Sequence, residues 1–286
     1  MFVEIDQAEV EAIKREVARF LPAVKSSHRA EAVARGLGFG SNAALREALA
    51  SGARRFRTDG ARFEEFLSKR GHLFRQDVRW TGTLSELEIA VLACWMRAIL
   101  AKHPELNPNG MVLSRFGLWK TGYWSPRRKA EMLASPEGME KLRESRLGLL
   151  DKVGLAEFAK CLEFLSRANR ISRPHSRSTS YEQKHQVERW WDAERDAATG
   201  VHGYVPNGAY IAAAVHLGFP IRHETWDSPN CTVGVSVRSL NCLDPNTPKL
   251  PRVRGPVPEK DLALTAAWME IFPAASVVRV PAQAAA

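Results

Sequence analysis

Cysteine is scarce in this chain, with four in 286 residues at positions 94, 161, 231 and 242 and no CxxC among them. Such scatter argues against a zinc ribbon or a disulfide framework and leaves free thiols. Long apolar runs are missing too. No stretch approaches the roughly 18 uninterrupted apolar residues of a membrane span, and the opening MFVEIDQAEVEAIK carries acids where a secretory leader needs a basic start. The expectation is a cytoplasmic protein with no membrane partner. The recognisable enzyme signatures are also lacking: HExxH, GxSxG, GxxxxGK followed by Ser or Thr, and the HxE plus CxxC pair of zinc deaminases. No enzyme is expected on these grounds, and no cofactor or metal.

Acids are the minority charge. Lys and Arg number 41 against 32 Asp and Glu, a formal net charge of +9, which favours a polyanionic partner. With 45% hydrophobic and 26% charged residues, the chain has an ordinary globular composition and the length of one large domain or two to three smaller ones.

Periodicity and capping signals predict a mostly α fold. Residues 1–52 read as an N-terminal three-helix module. Asp6 and Glu9 form a capping pair ahead of Val10, Ile13, Val17 and Phe20, Pro22 closes that helix, and Ser27 and Ser41 start two more. GLGFGS, residues 36 to 41, follows a helix where a dinucleotide-binding fingerprint requires a strand, so it reads as a turn. AVARGLGFGSNAALREAL has helix-turn-helix texture, with plain helix packing as the simpler reading.

The stretch SSHRAEAVARGLGFGSNAALREAL resembles the small helical module of uncharacterised proteins from plasmids and other bacterial mobile elements, a module also found attached to glyoxalase-related proteins. The resemblance spans residues 5 to 50, about a sixth of the chain, and rests on Ala34, Gly38, Phe39 and Leu45, which are packing residues. It implies an accessory protein of mobile DNA and carries over no catalytic residue. DNA is accordingly placed ahead of RNA as the partner.

Residues 53–166 read as a basic helical body. Phe56, Phe63, Phe66, Phe74 and Trp80 interleave eight basic residues between 54 and 79, a pattern that serves either base stacking or an amphipathic helix. Leu84 to Ala101 is apolar on nearly every side and predicts a central buried helix. LWKTGYWSPRRK then offers rings beside Arg127 and Arg128.

The segment with the sharpest signal is RANRISRPHSR, which puts Arg167, Arg170, Arg173 and Arg177 in eleven residues without a carboxylate. Like charges so close either stay solvated or await an anion. A helix with Tyr181 and Lys184 follows, then an alanine-rich helix that Asn207 can cap and Gly218 can stop, then a hairpin at about 221 to 238 ending in Arg238. That order predicts a C-terminal winged-helix-like α/β-hairpin unit at 167–244, able to grip phosphates with the arginines and Lys184 and to make polar contacts through Asn207 and Asn230. Residues 245–286 read as a proline-rich linker and a short helix.

The leading expectation is a nucleic-acid-binding accessory or regulatory protein. Two alternatives stand beside it. One is a protein-interaction factor that inhibits a host nucleic-acid or defence complex. The other is a metal-dependent nuclease built on Glu188 and Asp192, with His185 nearby.

Overall fold

The computed structural model of the chain describes residues 1–72, 84–111, 135–174, 178–193, 203–223 and 228–246. Arg127, Arg128 and Arg177, the rings at 119–124, and the linker and helix expected after residue 246 lie outside the described residues. The fold is mostly helical with small antiparallel sheets. No helix among the described residues is long and apolar enough to cross a membrane.

The N-terminal part opens with a strand that the sequence pattern did not signal. Strand β1 (Phe2–Ile5) points Val3 and Ile5 inward and pairs antiparallel with β2 (Arg54–Arg57), placing Val3 opposite Phe56 and Glu4 opposite Arg55. Between them run α1 (Gln7–Phe20), α2 (Ser26–Gly36) and α3 (Asn42–Leu49). Their boundaries follow from local chemistry. Asp6 and Glu9 form the expected capping box, the Ser41 hydroxyl accepts from the Ala44 amide, and Gly38 at φ 91° takes the left-handed turn that a side chain would strain. Arg54 to Arg57, expected within a helix, instead form β2, because β1 supplies a partner strand about fifty residues away.

Helix α4 (Gly60–Ser68) buries Phe63 and Leu67 in the same core as Val10, Ile13, Val17, Ala32 to Ala34 and Leu45. The N-terminal core therefore runs past the boundary expected at residue 52. Helix α5 (Glu86–Lys102), capped by Ser85 and Glu88, is the two-sided central helix that its composition predicts. Leu87, Ala90 and Val91 close the N-terminal core, while Ile89, Leu92, Ala93, Met96 and Ile99 belong to a second one. Burying each of the large side chains among them stabilises the fold by about 1.5–3 kcal/mol relative to exposure.

The second core gathers α7 (Lys152–Ser166), α8 (Ser180–Trp191) and α9 (Asn207–His216), with α6 (Pro136–Leu147) leading in through a turn at 148–151. Every residue of α9 from Asn207 to Ala214 is buried. Its alanines allow the close approach to α7, and the Tyr210 hydroxyl donates to Gln183 Oε1 at 2.9 Å on α8. Helix α9, the second helix of the expected winged-helix-like unit, is therefore enclosed and does not present a free face to a groove. Asn207 is displaced with it. Pro206 holds the N-cap position, and the buried Asn207 amide donates to Asn109 O, Pro229 O and Asn230 Oδ1 at 3.1–3.2 Å, tying the surrounding loops together. It is not a surface contact.

Strands β3 (Ile221–His223) and β4 (Cys231–Val233) form the expected antiparallel pair, with Arg222 opposite Thr232. The continuation past β4 enters α10 (Val237–Leu243), so Arg238 lies in the first turn of a helix and not on the hairpin.

Candidate nucleic-acid interface

The arginine run is docked on β4. Ile171 N donates to Gly234 O at 2.8 Å, Ser236 N donates to Asn169 O at 2.8 Å, and Arg170 and Thr179 make antiparallel bridges to Val235 and Thr232. On the other side Gly234 N donates to Pro220 O. A Cβ at Gly234 would lie 2.7 Å from Ile171 O, so glycine is what admits the third segment. The described residues on either side of 175–177 are thus held to the same short sheet, at Arg170 and Ile171 on one side and at Thr179 on the other.

Two of the arginines are answered from within. Arg167 Nη2 meets Glu163 Oε1 at 3.1 Å, and its guanidinium lies 4.8 Å from the centre of the Trp190 ring. Arg170 Nη1 donates to Gly218 O at 3.1 Å, placing a cation at the C-terminal end of α9 where the helix dipole favours it. The expectation of four arginines left incomplete on one face is corrected by these contacts. Arg173 and Arg238 are exposed, and neither makes an ion pair among the described residues. Ser236 and Ser239, which flank Arg238, are bonded to Asn169, so the start of α10 sits against the base of the loop.

Helix α8 begins where the loop ends, capped by Thr179 and Glu182. Its spacing puts Tyr181, Lys184, His185 and Glu188 on one face, toward α7 and residues 203–205. Lys184 is 4% exposed, so it is not part of an open basic surface as the sequence suggested. Its Nζ lies 2.6 Å from Glu188 Oε1 and 5.2 and 4.9 Å from the ring centres of Tyr181 and Tyr204. Those two tyrosines are 50% and 55% exposed. Gly203 brings the second of them in, since a Cβ there would collide with Asp192 at the end of α8.

Glu188 is fully engaged. Besides Lys184 it accepts from His185 Nδ1 at 2.5 Å and from Val205 N at 3.2 Å. Burial would raise its pKa, but these three donors outweigh burial and hold it below the usual carboxylate range. Both of its oxygens accept from these donors. Among the described residues no group of three or more His, Cys, Asp or Glu is arranged to hold a metal.

Sequence reading missed three members of this niche. Tyr204 sits in a loop, far from Tyr181 in the chain. Glu157 and Lys160 sit on α7, three residues apart, a spacing that put them on one helix face but gave no sign that Lys184 would lie alongside. Burial pushes the Glu157 carboxyl up to about 7, with Lys160 countering only in part. Burial also lowers the Lys160 pKa, against the pull of Glu157. Lys160 Nζ is 5.3 Å from the Trp191 ring centre.

No known protein family, curated protein or solved structure matches the chain.

Proposed function

We propose that this protein binds nucleic acid along the edge where the docked arginine loop meets α8, with phosphates met by Arg173 and Arg238 and bases stacked on Tyr181 and Tyr204. The observation that carries the reading is the placement of exposed apolar side chains. Among the described residues the large ones are Leu147, Tyr181, Tyr204 and Val237. Two are tyrosines facing one ammonium beside the loop, and a third adjoins Arg238. Exposed aromatic rings and exposed guanidinium groups on one unit suit a strand whose bases are unstacked.

The order α8, α9, β3, β4 keeps the winged-helix-like sequence of elements, and we assign it to the unit at 167–244. Its contact edge is the loop and α8, since α9 is enclosed. An accessory or regulatory role on bacterial mobile DNA is the setting we propose, supported by the resemblance of residues 5 to 50.

Fluorescence anisotropy with a labelled single strand and with duplex DNA tests this. Tyr181→Ala and Tyr204→Ala should each weaken single-strand binding by about 1–3 kcal/mol. Affinity that ignores both salt and the two tyrosines would overturn the reading and leave the surface to an acidic protein partner.

A further inference from the structure

We propose that the N-terminal part of the chain carries a second, pH-dependent contact for nucleic-acid phosphates where α2 meets the end of α4, built from His28, Arg35, Arg70 and His72. It rests on the nucleic-acid reading for the identity of the polyanion, but the residues lie on other elements than the arginine loop. Local chemistry brings the four together. His28 and Arg35 stand seven residues apart on α2, a spacing of two turns that puts them on one face, and α2 packs against α4. The chain leaves α4 through Gly71 at φ 80°, where Gly71 N donates to Ser68 O at 3.0 Å and His72 N donates to Leu67 O at 3.2 Å. This left-handed helix stop fixes His72 against the helix end. The two imidazoles then meet, with His28 Nδ1 3.5 Å from His72 Nε2.

Phe66 seats the guanidinium groups. Its ring centre lies 3.6 Å from Arg70 Cζ and 5.8 Å from Arg35 Cζ, so one ring of α4 gathers a cation from each helix. Arg70 Nη1 donates to Phe66 O at 3.1 Å, which leaves most of its five donors for a ligand. Arg35, Arg70 and neighbouring Lys25 are exposed, and none makes an ion pair among the described residues. The carboxylates of these helices are turned elsewhere. Glu31 Oε2 accepts from the Asn42 amide at 3.1 Å, Asp59 pairs with Arg62 at 3.3 Å, Glu65 pairs with Lys69 at 2.5 Å, and Glu64 is engaged as well. His28 registers the surplus of positive charge. Desolvation, then Arg70, His72 and Lys25, all hold its pKa below the ordinary 6.5, and no carboxylate opposes them.

An anion changes that balance. Two neutral imidazoles satisfy one another with a single N–H···N bond, one ring donating and the other accepting. A further proton sets N–H groups on both facing nitrogens, and a phosphate oxygen that accepts from both relieves the repulsion. Binding therefore favours the protonated pair, and by linkage affinity rises as pH falls. The span selects a polyanion. His28 and Arg35 lie about 10 Å apart along the helix at about 1.5 Å per residue, a distance covered by a strand with a phosphate on every nucleotide and not by one small anion.

The test uses the full chain and a fluorescent single-stranded DNA, with anisotropy read across pH and salt. Affinity should rise about tenfold from about pH 8 to about pH 5.5, the effect of raising one imidazole pKa by about one unit. His28→Gln combined with His72→Gln should remove most of that rise and leave affinity at the upper pH unchanged. Arg35→Ala combined with Arg70→Ala should lower the slope of log K against log salt by about 0.7 for each phosphate released. In the parent protein, the imidazole C2–H resonances of His28 and His72 should titrate at higher pH with DNA bound than without it. DNA that binds while these two histidines titrate unshifted, or a pH dependence that survives the double glutamine substitution, overturns the inference and leaves binding at the arginine loop standing. No binding of DNA at any pH overturns both.

Discussion

Replacing Arg173 and Arg238 together by alanine, and Arg167 alone, separates arginines that meet a ligand from arginines that hold the fold. The first two are exposed with no ion pair among the described residues, and each phosphate of a single strand that is no longer neutralised lowers the dependence of log K on log salt by about 0.7. The double substitution should therefore reduce the slope by about 1.4. It should leave stability within about 0.5 kcal/mol, as expected for surface changes. Arg167 should behave in the opposite way. Its partner Glu163 has a side chain only 8% exposed, and the guanidinium also packs on Trp190. Breaking a fully buried pair costs about 3–5 kcal/mol, but Arg167 is partly open to solvent, so about 1–2 kcal/mol is expected. For a chain of this size that is a fall of about 2–6 °C in melting temperature with the salt slope unchanged. Anisotropy titrations from low to moderate salt, beside thermal melts of the same samples, read both quantities. A slope lowered as much by Arg167→Ala as by the double variant, with the melting temperature unmoved, would refute the division of roles.

Tyr210→Phe should cost about 1–3 kcal/mol in urea denaturation, because Gln183 Oε1 is deprived of a buried donor, and adding Gln183→Leu should recover part of it. His216, stacked 4.4 Å from Trp95, has its pKa lowered to about 4 by burial, below the ordinary value of 6.5. A depressed base binds its proton more readily when unfolded, so stability should fall as pH drops from about 6.5 toward 4, by about 2 kcal/mol at pH 5, and His216→Asn should flatten that limb. Glu157 works in the other sense. Its carboxyl is raised from 4.5 to about 7, so stability falls as pH rises from about 4.5 to about 7, and Glu157→Gln should melt higher than the parent at pH 8. Gly208→Ala should prevent folding or destabilise by several kcal/mol, since a Cβ there collides with the Asn107 carbonyl.

Sequence alone determined most of the helices, though not α10, and many of their ends. Asp6 with Glu9, Ser41, Pro136 and Gly218 act through hydrogen bonds and dihedral limits set within four residues, so their neighbours suffice to read them. One arginine was legible in the same way: Glu163 stands four residues before Arg167, and a count begun at the arginines leaves it out. The rest needed the tertiary structure. Arg170 is spoken for by a carbonyl 48 residues away, β2 exists because β1 reaches it, and α9 turned inward because α7, α8 and β4 close around its alanines. The niche of Glu157, Lys184, Glu188 and Tyr204 likewise joins two helices and a loop. Spacing along a chain fixes which side chains share a face, but which faces meet is decided by packing over the whole core, and that set the charge, burial and reach of every residue at this site.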